Sequence, residues 1–93
     1  MRYMIDIDGT ICTQTTSSYT EAEPYPDRIA KINELHDKGD EIIYWTARGM
    51  ASGTDWSELT KSQLDQWGCK YHQLWMYKPS YDVWGDDKAQ WLF

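Results

Sequence analysis

Apolar and polar positions fall in short blocks along the chain, and the blocks predict a mixed α/β domain. Arg2 to Ile7 is a mostly apolar run that stops at Asp8-Gly9, which reads as a buried strand released into a turn by glycine. Thr10 to Tyr19 is rich in Thr and Ser with alternating character, suggesting a flap or loose hairpin, and Glu21 to Pro26 carries two prolines and two acids, a loop composition. From Asp27 to Lys38, Ile29, Ile32 and Leu35 recur every third residue while Arg28, Lys31, Glu34 and Lys38 occupy other faces, the pattern of an amphipathic helix. Pro26 near its start and Gly39 just past its end fit helix boundaries.

Glu41 to Trp45 runs β-branched and aromatic residues together, as in a strand buried on both faces. Thr46 to Thr54 is a glycine-containing loop. Asp55-Trp56-Ser57-Glu58 resembles a capping box with Asp in place of Ser or Thr. It predicts a second helix with Trp56, Leu59, Leu64 and Trp67 at core spacing and Gly68 as its stop. Tyr71 to Tyr77 reads as a third strand, Tyr81 to Trp84 as a short fourth, and Asp86 to Phe93 as a final helical turn or two. There is no repeat, low-complexity tract or linker, so residues 1–93 form one domain. Strands alternating with helices predict a Rossmann-like three-layer α/β/α sandwich around a short parallel sheet. Right-handed crossovers place the second strand beside the first.

Composition changes this picture in three ways. A 93-residue chain buries only about 60–65% of the surface its unfolded form exposes, and six Trp with seven Tyr answer that by burying a large area per residue. A net charge of −6 disfavours a protein that tracks a nucleic-acid backbone, but a bound divalent cation reverses the sign inside a pocket that takes a phosphorylated substrate. Cys12 and Cys69 form neither a disulfide framework nor a metal-binding pair and read as two reduced thiols. No apolar run reaches the roughly 20 residues of a membrane span, and the N-terminus places Asp6 where a signal peptide would carry its apolar core. The expected location is cytoplasmic, with no membrane partner.

The candidate chemistry lies where the predicted strands end. Asp6 and Asp8 close the first, Thr46 follows the second, Lys78 follows the third, and Asp86-Asp87 follow the fourth. In a parallel sheet all four positions converge on one edge, the edge where ligands bind in open α/β folds. Asp6-Ile7-Asp8-Gly9 also resembles a calcium turn, but an EF-hand needs an acid at its twelfth position, which here is Ser17. His36 and His72 lie far from these strand ends in sequence and read as structural.

Asp6-Ile7-Asp8-Gly9-Thr10 resembles the first motif of the haloacid dehalogenase (HAD) superfamily. Thr46-Ala47-Arg48 is similar to its second, Lys78-Pro79 to its third, and Gly85-Asp86-Asp87 to its acidic fourth. The resemblance runs in order from Asp6 to Asp87. It implies a Mg²⁺-dependent phosphohydrolase in which Asp6 is nucleophile and metal ligand. Asp8 would be a ligand through its backbone carbonyl and the general acid and base, Asp86 a carboxylate ligand, and Asp87 a ligand through water. A phosphate ester is a dianion that repels an anionic nucleophile, so a cation must bridge the two. Attack by Asp6 would form an aspartyl-phosphate. Thr46, Lys78 and backbone N–H groups near Gly9 and Thr10 would hold the transferring oxygens, with Ala47 and Arg48 also on the phosphate side. Arg48 reads equally as a partner for surface acids, and Asp87 as a helix cap.

Family members usually choose substrates with an inserted cap domain, and neither insertion point here has room for one. Two branches are similar: small capless members associated with surface-polysaccharide or sugar-phosphate metabolism, which share Thr46-Ala47-Arg48-Gly49-Met50, and the 3′-phosphatase domains of polynucleotide kinases, with a loop like Ala47-Arg48…Ser52-Gly53-Thr54. The acidity favours a small phosphorylated metabolite such as a sugar phosphate. From another class, a non-catalytic module would keep the motifs by descent and bind a partner, including a second copy of itself across an exposed edge.

Overall fold

The computed structural model describes residues 1–15 and 18–93; Thr16 and Ser17, in the middle of the expected flap, lie outside the described residues. Three strands, β1 (Arg2–Asp6), β2 (Glu41–Trp45) and β3 (Gln73–Trp75), form a parallel sheet in the order β1-β2-β3. Adjacent parallel strands need a crossover, and α1 (Pro26–Asp37) and α2 (Ser57–Gln66) supply the two. Both crossovers step the same way across the sheet, so their common right-handedness carries both helices to one face.

That face is built by register. Tyr3 pairs with Ile42, Ile5 with Tyr44, and Tyr44 with Leu74, so these side chains point the same way. Ile29 and Ile32 of α1 and Leu64 of α2 pack against them in one cluster with Ile7, Ile11 and Cys12. The opposite face carries Met4, Asp6, Ile43, Trp45 and Trp75. Ile43 is wholly buried yet lies outside that cluster.

Here the fold departs from the three-layer expectation. Residues 76–93 run on without strand or α-helix, and Trp84 places its ring 5.6 Å from that of Trp45 on the second face. The predicted fourth strand, Tyr81–Trp84, does not form: the segment is exposed and pairs with no neighbour. The predicted last helix, Asp86–Phe93, does not form either. Eight residues are too few for a helix to hold without a packed face, and the apolar end folds onto α1 instead. There the Arg28 guanidinium lies over the Trp91 and Phe93 rings and Lys31 Nζ donates to the Leu92 carbonyl. β3 is shorter than the predicted Tyr71–Tyr77: it is an edge strand that, among the described residues, pairs with β2 alone, over Gln73–Trp75.

Other boundaries sit close to expectation. β1 and β2 match within a residue, and α1 begins at Pro26 rather than Asp27. The capping box is replaced by a turn one residue earlier: Asp55 Oδ1 accepts from the Ser57 N–H at 2.9 Å and the Ser57 hydroxyl at 2.6 Å, and Trp56 takes the N-cap position. Along α2 the buried positions are Thr60, Gln63 and Leu64, while Leu59 is half-buried. Cys12 bridges Pro24 antiparallel and the Thr13 N–H donates to Glu23, and Tyr19–Glu21 forms a 3-10 turn. No helix is long and apolar enough to cross a membrane among the described residues.

The loop after β2 turns on Gly49, whose φ is +85° and where an added Cβ would lie 2.0 Å from the backbone oxygen of Thr54. Gly49→Ala is therefore expected to cost at least about 2 kcal/mol of stability. In urea unfolding followed by far-UV circular dichroism, this appears as a midpoint about 1 M lower; an unchanged midpoint contradicts the geometry.

Candidate active site at the strand ends

The segments that leave β2 and β3 are stitched together by backbone. Thr46 N–H donates to Trp75 O at 3.0 Å and Lys78 N–H donates to Thr46 O at 3.1 Å, which extends the β2–β3 pairing and sets Lys78 over the end of β1. Lys78 Nζ stands 3.2 Å from Asp6 Oδ1 and donates to the Tyr81 hydroxyl at 2.9 Å. Its ammonium also sits against the rings of Tyr81, Trp45 and Trp84 at 4.8, 5.4 and 5.9 Å. Lys78 is only 7% exposed. Burial is the largest single influence and pushes its pKa down, but the Tyr81 hydroxyl and the Asp6 carboxylate together outweigh it and the net displacement is upward. The ammonium is therefore charged at neutral pH. The second oxygen of Asp6 accepts from Thr10 Oγ1 at 3.2 Å.

Asp6, Thr10, Lys78 and Asp86 line one cavity of about 700 Å³. Asp86 holds its carboxyl below the usual range chiefly by accepting from the Lys88 N–H, with its neighbour Asp87 contributing next. Of the two terminal acids, Asp86 is the one that lines this cavity.

Asp8 is placed differently. Its two oxygens accept from Arg48 Nε and Nη2, each at 2.9 Å. Arg48 Nη1 donates to Thr60 Oγ1 at 3.1 Å and Gln63 Oε1 at 2.6 Å, its guanidinium lies 4.7 Å from the Tyr19 ring centre, and the residue is buried. Of the two readings of Arg48, substrate contact or partner for acids, the structure shows it paired with an acid, as an internal tie between the first loop and α2. Thr60, Gln63 and Tyr19 were not found by sequence reasoning. The signal for the first two was the polar pair itself, one helical turn apart beside the apolar stripe of α2; nothing in the sequence marked Tyr19.

The N–H groups of Gly9 and Thr10 donate to Cys12 O and Ile7 O at 2.9 and 3.0 Å, so they are engaged within the loop, and Thr10 reaches Asp6 through its hydroxyl instead. Thr46 is buried, with Oγ1 accepting from the Arg48 N–H at 3.1 Å; that bond uses a lone pair and leaves the hydroxyl proton to donate. Ala47 lies in the same turn, its carbonyl accepting from the Met50 N–H at 3.0 Å.

Among the described residues no three of His, Cys, Asp and Glu gather closely enough to cage an ion. Mg²⁺ needs no such cage, because it keeps several waters and is held by one or two carboxylates plus substrate. The all-oxygen pair Asp6 and Asp86 in one cavity fits that requirement.

His36 and His72 stack at 4.8 Å, and His72 Nδ1 accepts from the Ile42 N–H at 3.1 Å. Their place is at the start of β2, away from the strand ends. Both cysteines are free. Burial first, then the Asp8 charge, pushes the Cys12 thiol up to about 12, and burial pushes Cys69 up to about 11. Since the thiolate is the reactive form, iodoacetamide at pH 7.5 is expected to leave Cys12 of the native protein unmodified by peptide mass spectrometry. Modification as fast as in urea would contradict its burial.

No family model and no curated protein matches this chain. Among solved structures, it is similar to a crystal structure of a target protein from Vibrio cholerae, with a TM-score of 0.87 and 27% sequence identity over 96% of this chain and 81% of that one. The two proteins share one Rossmann-like α/β fold with a parallel sheet.

Proposed function

We propose that this protein is a capless member of the haloacid dehalogenase superfamily, a Mg²⁺-dependent phosphomonoesterase acting through an aspartyl-phosphate on Asp6. The preferred substrate is a small phosphorylated metabolite such as a sugar phosphate. The observation that carries the reading is the pairing of Asp6, at the carboxyl end of β1, with a buried ammonium, Lys78, on the wall of one cavity. Asp6 and Asp86 carboxylates, the Asp8 carbonyl and, through water, Asp87 would hold the ion, which supplies positive charge against the substrate dianion.

In the first step an Asp6 carboxylate oxygen bonds to phosphorus while the ester P–O bond breaks. The leaving oxygen departs with that electron pair and takes a proton. Water then attacks the same phosphorus, loses a proton, and frees phosphate from Asp6. Lys78 and the Thr46 hydroxyl offset charge on the transferring oxygens, and Thr10 fixes the orientation of the Asp6 carboxylate. Asp8 is the proposed acid and base. Both its oxygens face Arg48, so proton transfer requires its side chain to rotate off the guanidinium toward the cavity.

Hydrolysis of an aryl phosphate tests the reading. Turnover is expected with Mg²⁺, is lost in excess EDTA, and returns when Mg²⁺ is restored. Equal rates with and without EDTA would remove the metal from the mechanism, and no turnover under any condition would favour the non-catalytic module.

A further inference from the structure

Resting on the phosphatase reading, we propose that Trp45, Tyr81 and Trp84 form a wall that selects phosphate esters whose leaving group carries a ring. The cavity that holds Asp6 and Lys78 has a volume of about 700 Å³, within the range of small-molecule sites and far larger than a phosphoryl group. The cavity runs along β1 as far as Met1, and the part beside Asp6 and Lys78, where a leaving group would lie, is bounded by aromatic side chains. Trp45, Tyr81 and Trp84 line the same cavity, and Trp84 joins the other two: Trp45 and Trp84 meet edge to face at 5.6 Å, and Tyr81 lies 5.2 Å from Trp84.

Two of these rings are partly open to solvent. Tyr81 is 46% and Trp84 42% exposed, although their contacts with Lys78 tie them to the nucleophile's immediate surroundings. A ring stacked there gains dispersion and sheds water from apolar surface, and a linear leaving group gains little of either. Lys88 and Gln90 also line the cavity and offer hydrogen bonds to hydroxyl or base edges. Sugar and nucleoside share the property selected, a flat or apolar ring face.

The test compares glucose 6-phosphate and adenosine 5′-monophosphate, which carry rings, with glycerol 3-phosphate, which does not, all with Mg²⁺. Wild-type kcat/KM is expected to be about tenfold or more higher for at least one ring ester. Trp84→Ala is expected to lower the ratio of ring to glycerol efficiency about tenfold, mainly through KM, whereas Tyr81→Phe, which keeps the ring, preserves that ratio. The two ring esters show whether sugar or nucleoside is favoured. In parallel, tryptophan fluorescence of Asp6→Asn measures binding of the same three esters without turnover. Ring-selective binding with no wild-type hydrolysis would retain the wall and discard the phosphatase. Hydrolysis with equal efficiency on ring and glycerol esters, or a Trp84→Ala ratio unchanged from wild type, would overturn the wall and leave the phosphatase. Non-selective binding in the absence of hydrolysis would overturn both.

Discussion

Asp6→Asn is expected to reduce Mg²⁺-dependent hydrolysis by at least about a thousandfold, because a nucleophile and its partners act as one unit. The amide keeps the shape of the side chain and its contact with the Thr10 hydroxyl, yet its oxygen carries no net charge with which to attack phosphorus. The fold should survive the change. The Asp6 side chain is one-third exposed, so losing its ion pair with Lys78 is softened by water. Lys78 also retains the Tyr81 hydroxyl and three aromatic rings. Steady-state rates and a circular dichroism spectrum on the same preparation separate the two effects. Turnover within tenfold of wild type, with the spectrum unchanged, would rule out Asp6 as nucleophile.

Arg48→Met should act on stability instead, lowering it by about 3–5 kcal/mol, the cost of removing one member of a buried charged network. A domain of this kind has only about 5–15 kcal/mol in all, so the variant is expected to be partly unfolded or to melt far below wild type. The reason is local. The guanidinium donates to both Asp8 oxygens, to Thr60 and to Gln63, and methionine leaves all of them without that partner in a mostly buried place. Arg48→Lys is not a rescue, because a point-like ammonium cannot reach Asp8 and Gln63 together in the planar fork that arginine provides. Adding Asp8→Asn to Arg48→Met should recover part of the loss, since the stranded charge is then gone. Thermal melts of the two single variants and the double variant measure that coupling, and strict additivity would contradict a shared network.

The chain's own pattern determined the crossover units. β1, α1, β2 and α2 lie within a few residues of where apolar period, glycine and proline place them, because each is specified by local spacing and packs on a core made of neighbouring elements. The pattern also placed Asp6, Thr46 and Lys78 at strand ends, and a parallel sheet with short crossovers has to bring such ends to one edge. Sequence could not separate Arg48 on a substrate from Arg48 on an acid, since both need the same residue and only the position of α2 decides which partner is within reach. Nor could it see that residues 76–93 lack strand and helix. A run such as Tyr81–Trp84 has the composition of a strand, but a strand exists only where another edge offers hydrogen bonds, and no such edge pairs with it here. The tertiary structure therefore decided what surrounds Asp6. With both crossovers stepping the same way, the helices cover one face of the sheet and leave the other to Trp45, Tyr81 and Trp84 around Lys78.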